Sequence, residues 1–296
     1  MKEKYWSKVI LFGEYSMIYD STALVIPMKL FSASWTLAKA EEGERQAFLR
    51  QELIRFCRYL RVTEELSKEI DTAAFENDLR SGWALASNIP FGYGLGSSGT
   101  VVAAVYDRYS KNRIRDMLRL KKLFAQMENF FHGSSSGIDP LQCYLGEPFR
   151  ITTEDVELLP ENFMRKGCQT CLIDTKLKRS TRPLVEAFKK RMESKPYHDG
   201  FQEDYGSCVK ACIDAMIQDD SNDDLFERLH SLTRAQLRFF RPMIPESVAV
   251  LFETEYDFHF SVKILGSGGG GYLLGFTDNR LKASRVLRNY DVLWLE

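Results

Sequence analysis

Strands and helices alternate through this chain, and the sequence predicts a fold that mixes the two around a glycine-rich junction. Three observations carry that expectation. An apolar run at 83–89 has strand character, Pro90-Phe-Gly-Tyr-Gly-Leu-Gly-Ser-Ser-Gly-Thr100 follows it, and Val101-Val-Ala-Ala-Val-Tyr106 opens a helix. Over 30–37 apolar and small polar residues alternate, the period of a strand with one buried face. Over 113–131 the residues Leu120, Leu123, Phe124, Met127, Phe130 and Phe131 recur at helical spacing. With 296 residues, 44% hydrophobic and 27% charged, the chain has a globular composition and the length of one large domain or two modest ones.

Taken in order, residues 8–12 read as a strand ended by the polar turn Gly13-Glu14-Tyr15-Ser16. Gly43 starts a helix to about Val62, with Phe48, Leu53 or Ile54, Phe56, Cys57 and Leu60 on one side. Residues 63–80 are charged and helical in part. The pattern changes near residue 150. Strands are expected at 149–152 and 168–174, helices at 181–195, 201–218 and 223–240, and strands at 258–265 and 272–276. A short helix at 280–287 and a strand at 291–295 follow.

Charge and cysteines exclude several classes. The net charge of −1 gives no global basic field for nucleic acid or an anionic membrane. No apolar run is long enough for a transmembrane helix, and the apolar run Val9 to Phe12 is too short for a signal peptide. Six cysteines are sparse for this length, which points to reduced thiols and a cytoplasmic setting. Cys168 and Cys171 form a CxxC, and Cys208 and Cys212 lie one helical turn apart. Zinc would need paired CxxC motifs or histidines, so these thiols read as core residues.

The chemistry concentrates in the glycine junction. Gly92, Gly94, Gly96 and Gly99 let the backbone approach a ligand closely, and free amides at a helix N-terminus make an anion site. The loop reads as a phosphate cradle. It satisfies GxGxxG, but the dinucleotide reading needs a second strand and an acid beyond it, where this chain has a helix; a Walker loop needs a lysine, where this chain has Gly-Ser-Ser. Glu128 lies on the apolar face of the 113–131 helix, a costly position for an acid without a partner. It reads either as an edge residue in water or as a metal ligand or ion-pair partner. Asp139, before Pro140 in a small-residue stretch, reads on spacing alone as a turn or cap residue. Gly266-Ser-Gly-Gly-Gly-Gly271 between two strands exceeds what a hairpin needs, and reads as a second backbone surface over a ligand.

Three stretches together resemble the motifs of the GHMP kinases (galactokinase, homoserine kinase, mevalonate kinase and phosphomevalonate kinase). They are Lys8-Val-Ile-Leu-Phe-Gly-Glu-Tyr15, Pro90 to Gly99, and Lys263-Ile-Leu-Gly-Ser-Gly-Gly-Gly-Gly271, in family order across nearly the whole chain. Within the family, Glu128-x-x-x-His132-Gly133 followed by Ser136-Gly-Ile-Asp139 resembles the mevalonate kinase branch. The resemblance implies an α+β, two-layer fold. Its N-terminal half, residues 1–150, would resemble the second domain of ribosomal protein S5 and bind ATP; its C-terminal half, residues 151–296, would be ferredoxin-like.

The same resemblance implies an ATP- and Mg²⁺-dependent kinase acting on a small-molecule alcohol, with mevalonate giving 5-phosphomevalonate as the leading acceptor. Phosphomevalonate or a sugar as acceptor, or a non-catalytic ATP-binding regulator, are the alternatives. Pro90, Gly92, Gly94, Leu95, Gly96, Ser97, Ser98, Gly99 and Thr100 would cradle the phosphates. Ser98 and Glu128 would hold Mg²⁺. Asp139 would take the acceptor's proton, and Lys8 beside it would favour the carboxylate form. Glu14, Tyr15, Gly268, Gly269 and Gly270 would lie near the substrate. The family's first motif usually has Pro-Gly before the lysine and histidine after Gly-Glu; this chain has Trp6-Ser7 and Tyr15. A homodimer is left open.

Overall fold

The computed structural model describes residues 2–16, 22–38, 43–164, 167–178, 181–218 and 221–295. The first part runs β1 (Tyr5–Phe12), β2 (Ala23–Leu37), α1 (Glu44–Val62), α2 (Glu64–Glu69), α3 (Thr72–Arg80), β3 (Trp83–Ser87), α4 (Ser97–Tyr109), α5 (Met117–His132), α6 (Ile138–Leu145), β4 (Phe149–Ile151) and β5 (Val156–Leu158). The second runs β6 (Gln169–Asp174), α7 (Thr181–Met192), α8 (Lys195–Gly200), a π-helical turn (Phe201–Gly206), α9 (Ser207–Ile217), α10 (Asn222–Phe240), α11 (Glu246–Glu253), β7 (Phe260–Ile264), β8 (Tyr272–Thr277), α12 (Arg280–Val286) and β9 (Asp291–Leu295).

Two antiparallel sheets organise these elements, as the α+β expectation requires. In the first, β2 is long enough to serve three partners. It pairs with β1 along most of its length, with β4 at Ala23 to Val25 and with β3 at Ala33 to Leu37. The second sheet has the order β7-β8-β6-β9. Counted from β6, that is the 2-3-1-4 order of a ferredoxin-like β-α-β-β-α-β unit, with a helical excursion between β6 and β7.

Alternation along β1 and β2 makes the first sheet a shared wall. Tyr5, Ala23, Val25 and Ala33 pack into a core with Phe56, Phe124 and Tyr106 from the helices of the first part. Their neighbours Val9, Leu11, Leu24, Ile26 and Met28 face a second core with Phe188, Phe201 and Phe240. Opposite pleats of β2 therefore bury against different layers, and in β1 the register shift between Trp6 and Ser7 puts Tyr5 on one side and Val9 and Leu11 on the other.

The helices follow their apolar faces. In α1 the buried stripe is Leu49, Leu53, Phe56, Cys57 and Leu60. Phe48, expected on that stripe, is 55% exposed and rests edge-on against Phe91. α5 begins at Met117 rather than at 113, because the Asp116 side chain accepts from the Arg119 amide and sets the N-cap. α4 begins at Ser97, inside the stretch expected to be loop. Ser-Ser-Gly is a poor helix interior but suits a first turn, where propensity matters least. β5 and α11 were not anticipated, and Asp139, read as a turn or cap residue, instead lies in the first turn of α6 behind the N-cap Gly137.

Gly137 is the tightest point of this scaffold. Its φ is +76°, and a Cβ there would stand 2.1 Å from the Lys121 carbonyl oxygen of α5. Gly137→Ala would therefore force the α5–α6 loop away from α5 as well as strain its own backbone. Thermal unfolding of that variant should show a loss of roughly 2–3 kcal/mol or more. A melting temperature equal to the parent's would contradict this packing.

Candidate active site

A cavity of about 470 Å³ opens where the strand end of β1, the N-termini of α4 and α6, and the loop after β7 converge. Its wall includes Lys8, Gly96, Ser98, Glu128, Asp139 and Ser267. Residues expected from three distant motifs thus share one cavity.

Lys8 is the central feature. Its side chain is 1% exposed, yet its Nζ reaches Asp139 Oδ1 at 2.8 Å. Glycine makes that possible twice. A Cβ at Gly96, whose φ is +75°, would stand 2.8 Å from Lys8 Cγ, so the lysine stem passes through volume that only glycine leaves free. A Cβ at Gly99 would stand 2.8 Å from the Asp139 carbonyl carbon, so α4 can touch the start of α6 only through a glycine.

The phosphate-cradle residues divide into a lining set and a supporting set. Gly92, Gly94, Gly96, Ser97 and Ser98 line the cavity. Leu95 is buried, and its carbonyl accepts the Lys8 amide at 3.0 Å. Thr100 Oγ1 donates to the Gly96 carbonyl at 2.7 Å, and Gly99 packs on Asp139. Pro90 opens the loop away from the wall. No side chain caps α4 at Gly96, so the first amides of α4 face the cavity without an intrahelical acceptor.

Glu128 is 3% exposed, not an edge residue in water. Ser98 Oγ donates to its Oε1 at 2.7 Å and Ser135 Oγ to its Oε2 at 2.5 Å. Ser98 Oγ also lies 2.9 Å from His132 Nε2. When the serine gives its one proton to an ionised Glu128, His132 Nε2–H is the donor in the second contact. Burial, and then the negative charge of Asp139, push the Glu128 carboxyl up to about 7. The serine hydrogen bonds and Lys8 act in the opposite sense.

A second joint closes the far wall. Lys263 Nζ bonds the Glu14 carboxylate, with both side chains essentially unexposed, and also reaches the carbonyls of Ile10 at 3.3 Å and Ile264 at 2.7 Å. Three acceptors match the three protons of an ammonium. Burial pushes Glu14 up and Lys263 down, and their mutual attraction opposes both shifts. Tyr15 has a left-handed φ of 64°. Its hydroxyl donates to the Ser267 carbonyl at 2.9 Å, and its ring packs on Phe188 and Phe240. The tyrosine that stands in the family's histidine position therefore ties the β1–β2 turn to the second part of the chain.

The glycine-rich loop after β7 reaches the cavity only through Gly266 and Ser267. Gly268, Gly269 and Gly270 pack behind the wall. The Gly269 amide bonds the Met243 carbonyl at 2.6 Å, and a Cβ at Gly270 would meet the Leu177 carbonyl at 2.5 Å. Sequence reasoning gave no site role to Ser135, Lys263, Lys121 or Lys189, the last two also on the wall. The spacing of Lys121, Glu128 and His132 on one helical face was the available signal; Lys263 and Glu14 are 249 residues apart, with no local pattern to join them. The cysteines are free, and the described residues contain no cluster of acids, histidines and cysteines able to hold a metal unaided.

The proton on Glu128 has a measurable consequence. The folded protein holds it to about pH 7, whereas an unfolded chain releases it near about 4.3. Between those values the folded state binds more protons, so this group's contribution to stability falls as pH rises. Glu128→Gln should raise the melting temperature of the metal-free protein at pH 8 and flatten its dependence between pH 5 and 8. An unchanged profile would contradict the assignment.

Comparisons with known proteins agree with this geometry. A family model described as the GHMP kinases N terminal domain matches residues 58–147. Mevalonate kinase of Pyrococcus furiosus is 26% identical, over 93% of this chain and 88% of its own length. Mevalonate kinase of Archaeoglobus fulgidus is 23% identical, over 95% and 94%. Among solved structures, L. major mevalonate kinase in complex with R-mevalonate superposes with a TM-score of 0.66 at 16% identity, covering 97% of this chain and 90% of that one. Streptococcus pneumoniae phosphomevalonate kinase gives 0.66 at 15%, covering 98% and 97%; these structural likenesses concern the fold. Residues 58–147 thus carry the N-terminal domain of the GHMP kinases, and the relatives matched over most of the chain support a kinase enzyme.

Proposed function

We propose that this kinase transfers the terminal phosphoryl group of ATP to mevalonate, giving ADP and 5-phosphomevalonate. The observation that carries the reading is the buried Lys8–Asp139 pair set on one cavity wall with the uncapped N-terminus of α4. The curated relatives given above, both mevalonate kinases matched over most of their length, support the acceptor. In this reading residues 1–150 form the ATP-binding unit and residues 151–296 the second unit. The free cysteines support a cytoplasmic setting.

The chemistry is positioning and charge. The amides from Gly92 to Ser98 would hold the polyphosphate. The acceptor oxygen attacks the γ-phosphorus, a new P–O bond forms, and the bond to the bridging oxygen breaks so that ADP leaves with its electron pair. The hydroxyl proton passes to Asp139. Lys8 occupies Oδ1 of that carboxylate, which leaves the second oxygen to accept it. Lys8 compensates negative charge beside the transferring group.

The residues fit Mg²⁺. Glu128 is a buried carboxylate with no salt-bridge partner among the described residues, bonded to two serine hydroxyls, one of them Ser98. Mg²⁺ binds through one or two carboxylates together with substrate phosphates and waters. Ser98 and Glu128 would hold it, and when bound it would neutralise charge on the phosphates.

With ATP and mevalonate the parent protein should form ADP and a phosphate ester. Asp139→Asn should lower kcat by about 10²–10⁴-fold. Full activity in that variant would remove Asp139 from the assigned role. Transfer to phosphomevalonate or galactose, with none to mevalonate, would reassign the acceptor.

A further inference from the structure

We infer that Lys121 of α5 and Lys189 of α7 form a two-sided clamp on the nucleotide's polyphosphate, one lysine from each part of the molecule. The inference rests on the kinase reading above and extends it to residues outside the motifs.

Both lysines line the cavity. Lys121 is half-buried, yet its side chain has no hydrogen-bond or ion-pair partner among the described residues. Burial, with Lys122 adjoining, pulls its ammonium down. Lys189 donates to Ser134 Oγ at 3.3 Å and forms no ion pair among the described residues, although Glu186 and Glu193 stand one turn to either side in sequence. Elsewhere Lys68, Lys195 and Lys210 each pair with an acid one turn away. The acids on the cavity wall are already engaged: Glu14 with Lys263, Asp139 with Lys8, and Glu128 with Ser98 and Ser135. Lys121 and Lys189 therefore carry positive charge that nothing on this wall answers, and an anion is the ligand that would answer it.

Connectivity places that anion at the phosphate end. Lys189 contacts Ser134; the next residue, Ser135, bonds Glu128; and Glu128 bonds Ser98 in the first turn of α4. Lys121, Glu128 and His132 lie on one face of α5, about two and three turns apart. Glu14, Tyr15 and Ser267 form the other joint, tied to Lys263 rather than to this serine run. A linear polyphosphate leaving the glycine loop would thus run past both lysines.

Titration calorimetry of the full chain with inorganic tripolyphosphate, and separately with a non-hydrolysable ATP analogue, tests the clamp without turnover, with mevalonate titrated alone as the comparison. Lys121→Met and Lys189→Met should each weaken both ligands by about tenfold and reduce the salt dependence of binding. Lys121→Arg and Lys189→Arg should restore most of it. Lys122→Met and Lys190→Met, exposed neighbours off the wall, should bind as the parent does. Unchanged affinity in the first pair, equal losses in the neighbours, or a loss confined to mevalonate binding would each overturn the clamp; the last would give the lysines to the acceptor's carboxylate. Normal clamp behaviour without phosphorylation of mevalonate would keep the clamp and sink only the acceptor assignment.

Discussion

The site depends on burying a lysine. Lys8 is held inside the molecule by β1, and an ammonium taken out of water costs several kcal/mol unless it is well paired. Asp139 supplies the pair at 2.8 Å, and the N-terminal end of α6 favours the carboxylate there. That arrangement requires β1, α4 and α6 to meet more closely than side chains normally allow. Gly96 clears the path of the lysine stem, and Gly99 lets α4 rest on the backbone of Asp139. Conformational freedom matters at Gly96 and lack of volume at both. The glycines of the proposed phosphate loop therefore also make room for the ion pair.

The second joint explains how the two parts share one cavity. Glu14 and Lys263 bond across it, Tyr205 donates to the Glu14 carbonyl at 3.0 Å, and Tyr15 holds the Ser267 carbonyl. A buried pair of this kind is weak evidence for net stability, but removing either partner leaves a charge with nowhere to go. It fixes the β1–β2 turn against β7 and the loop after it. Tyr15 spends its hydroxyl inside this joint, so this turn presents a different surface to the cavity than a histidine would.

Much of the architecture was legible because periodicity reports burial. The 113–131 pattern located α5 and its apolar face, and the alternation at 30–37 located the end of β2. The start of α4 was misplaced because Ser-Ser-Gly has the composition of a loop, and first turns are set by ligand and cap more than by propensity. Lys8, Asp139, Ser98 and Glu128 were legible only through the joint order of three motifs. Asp139 alone reads as a turn residue, and its meaning comes from a strand more than a hundred residues earlier in the chain. The loop at 266–271 misled differently. Its glycines were read as a ligand surface, but Gly268, Gly270 and Gly271 each put a missing Cβ within 2.7 Å of a backbone atom, so much of the richness serves packing against Met243, Leu177 and Tyr93. A glycine needed for close approach looks the same in sequence whether the neighbour is a phosphate or the chain itself.

Charge is distributed in this cavity in a way that reconciles two demands. Phosphoryl transfer needs cations for a polyanion and also a carboxylate to receive a proton, and these neutralise each other if they stand free together. Here the carboxylate that would take the proton is bound to a lysine too deeply buried to follow a departing phosphate. Glu128 avoids adding a second full negative charge beside it by keeping its proton to about pH 7. In the proposed reading, positive potential for the polyphosphate would come from backbone amides at the start of α4, fixed by the fold, and from lysines on the outer helices. A loop without a Walker lysine is workable on these terms, because the cation has been moved off the loop: one is locked onto the base, and others stand at the cavity wall.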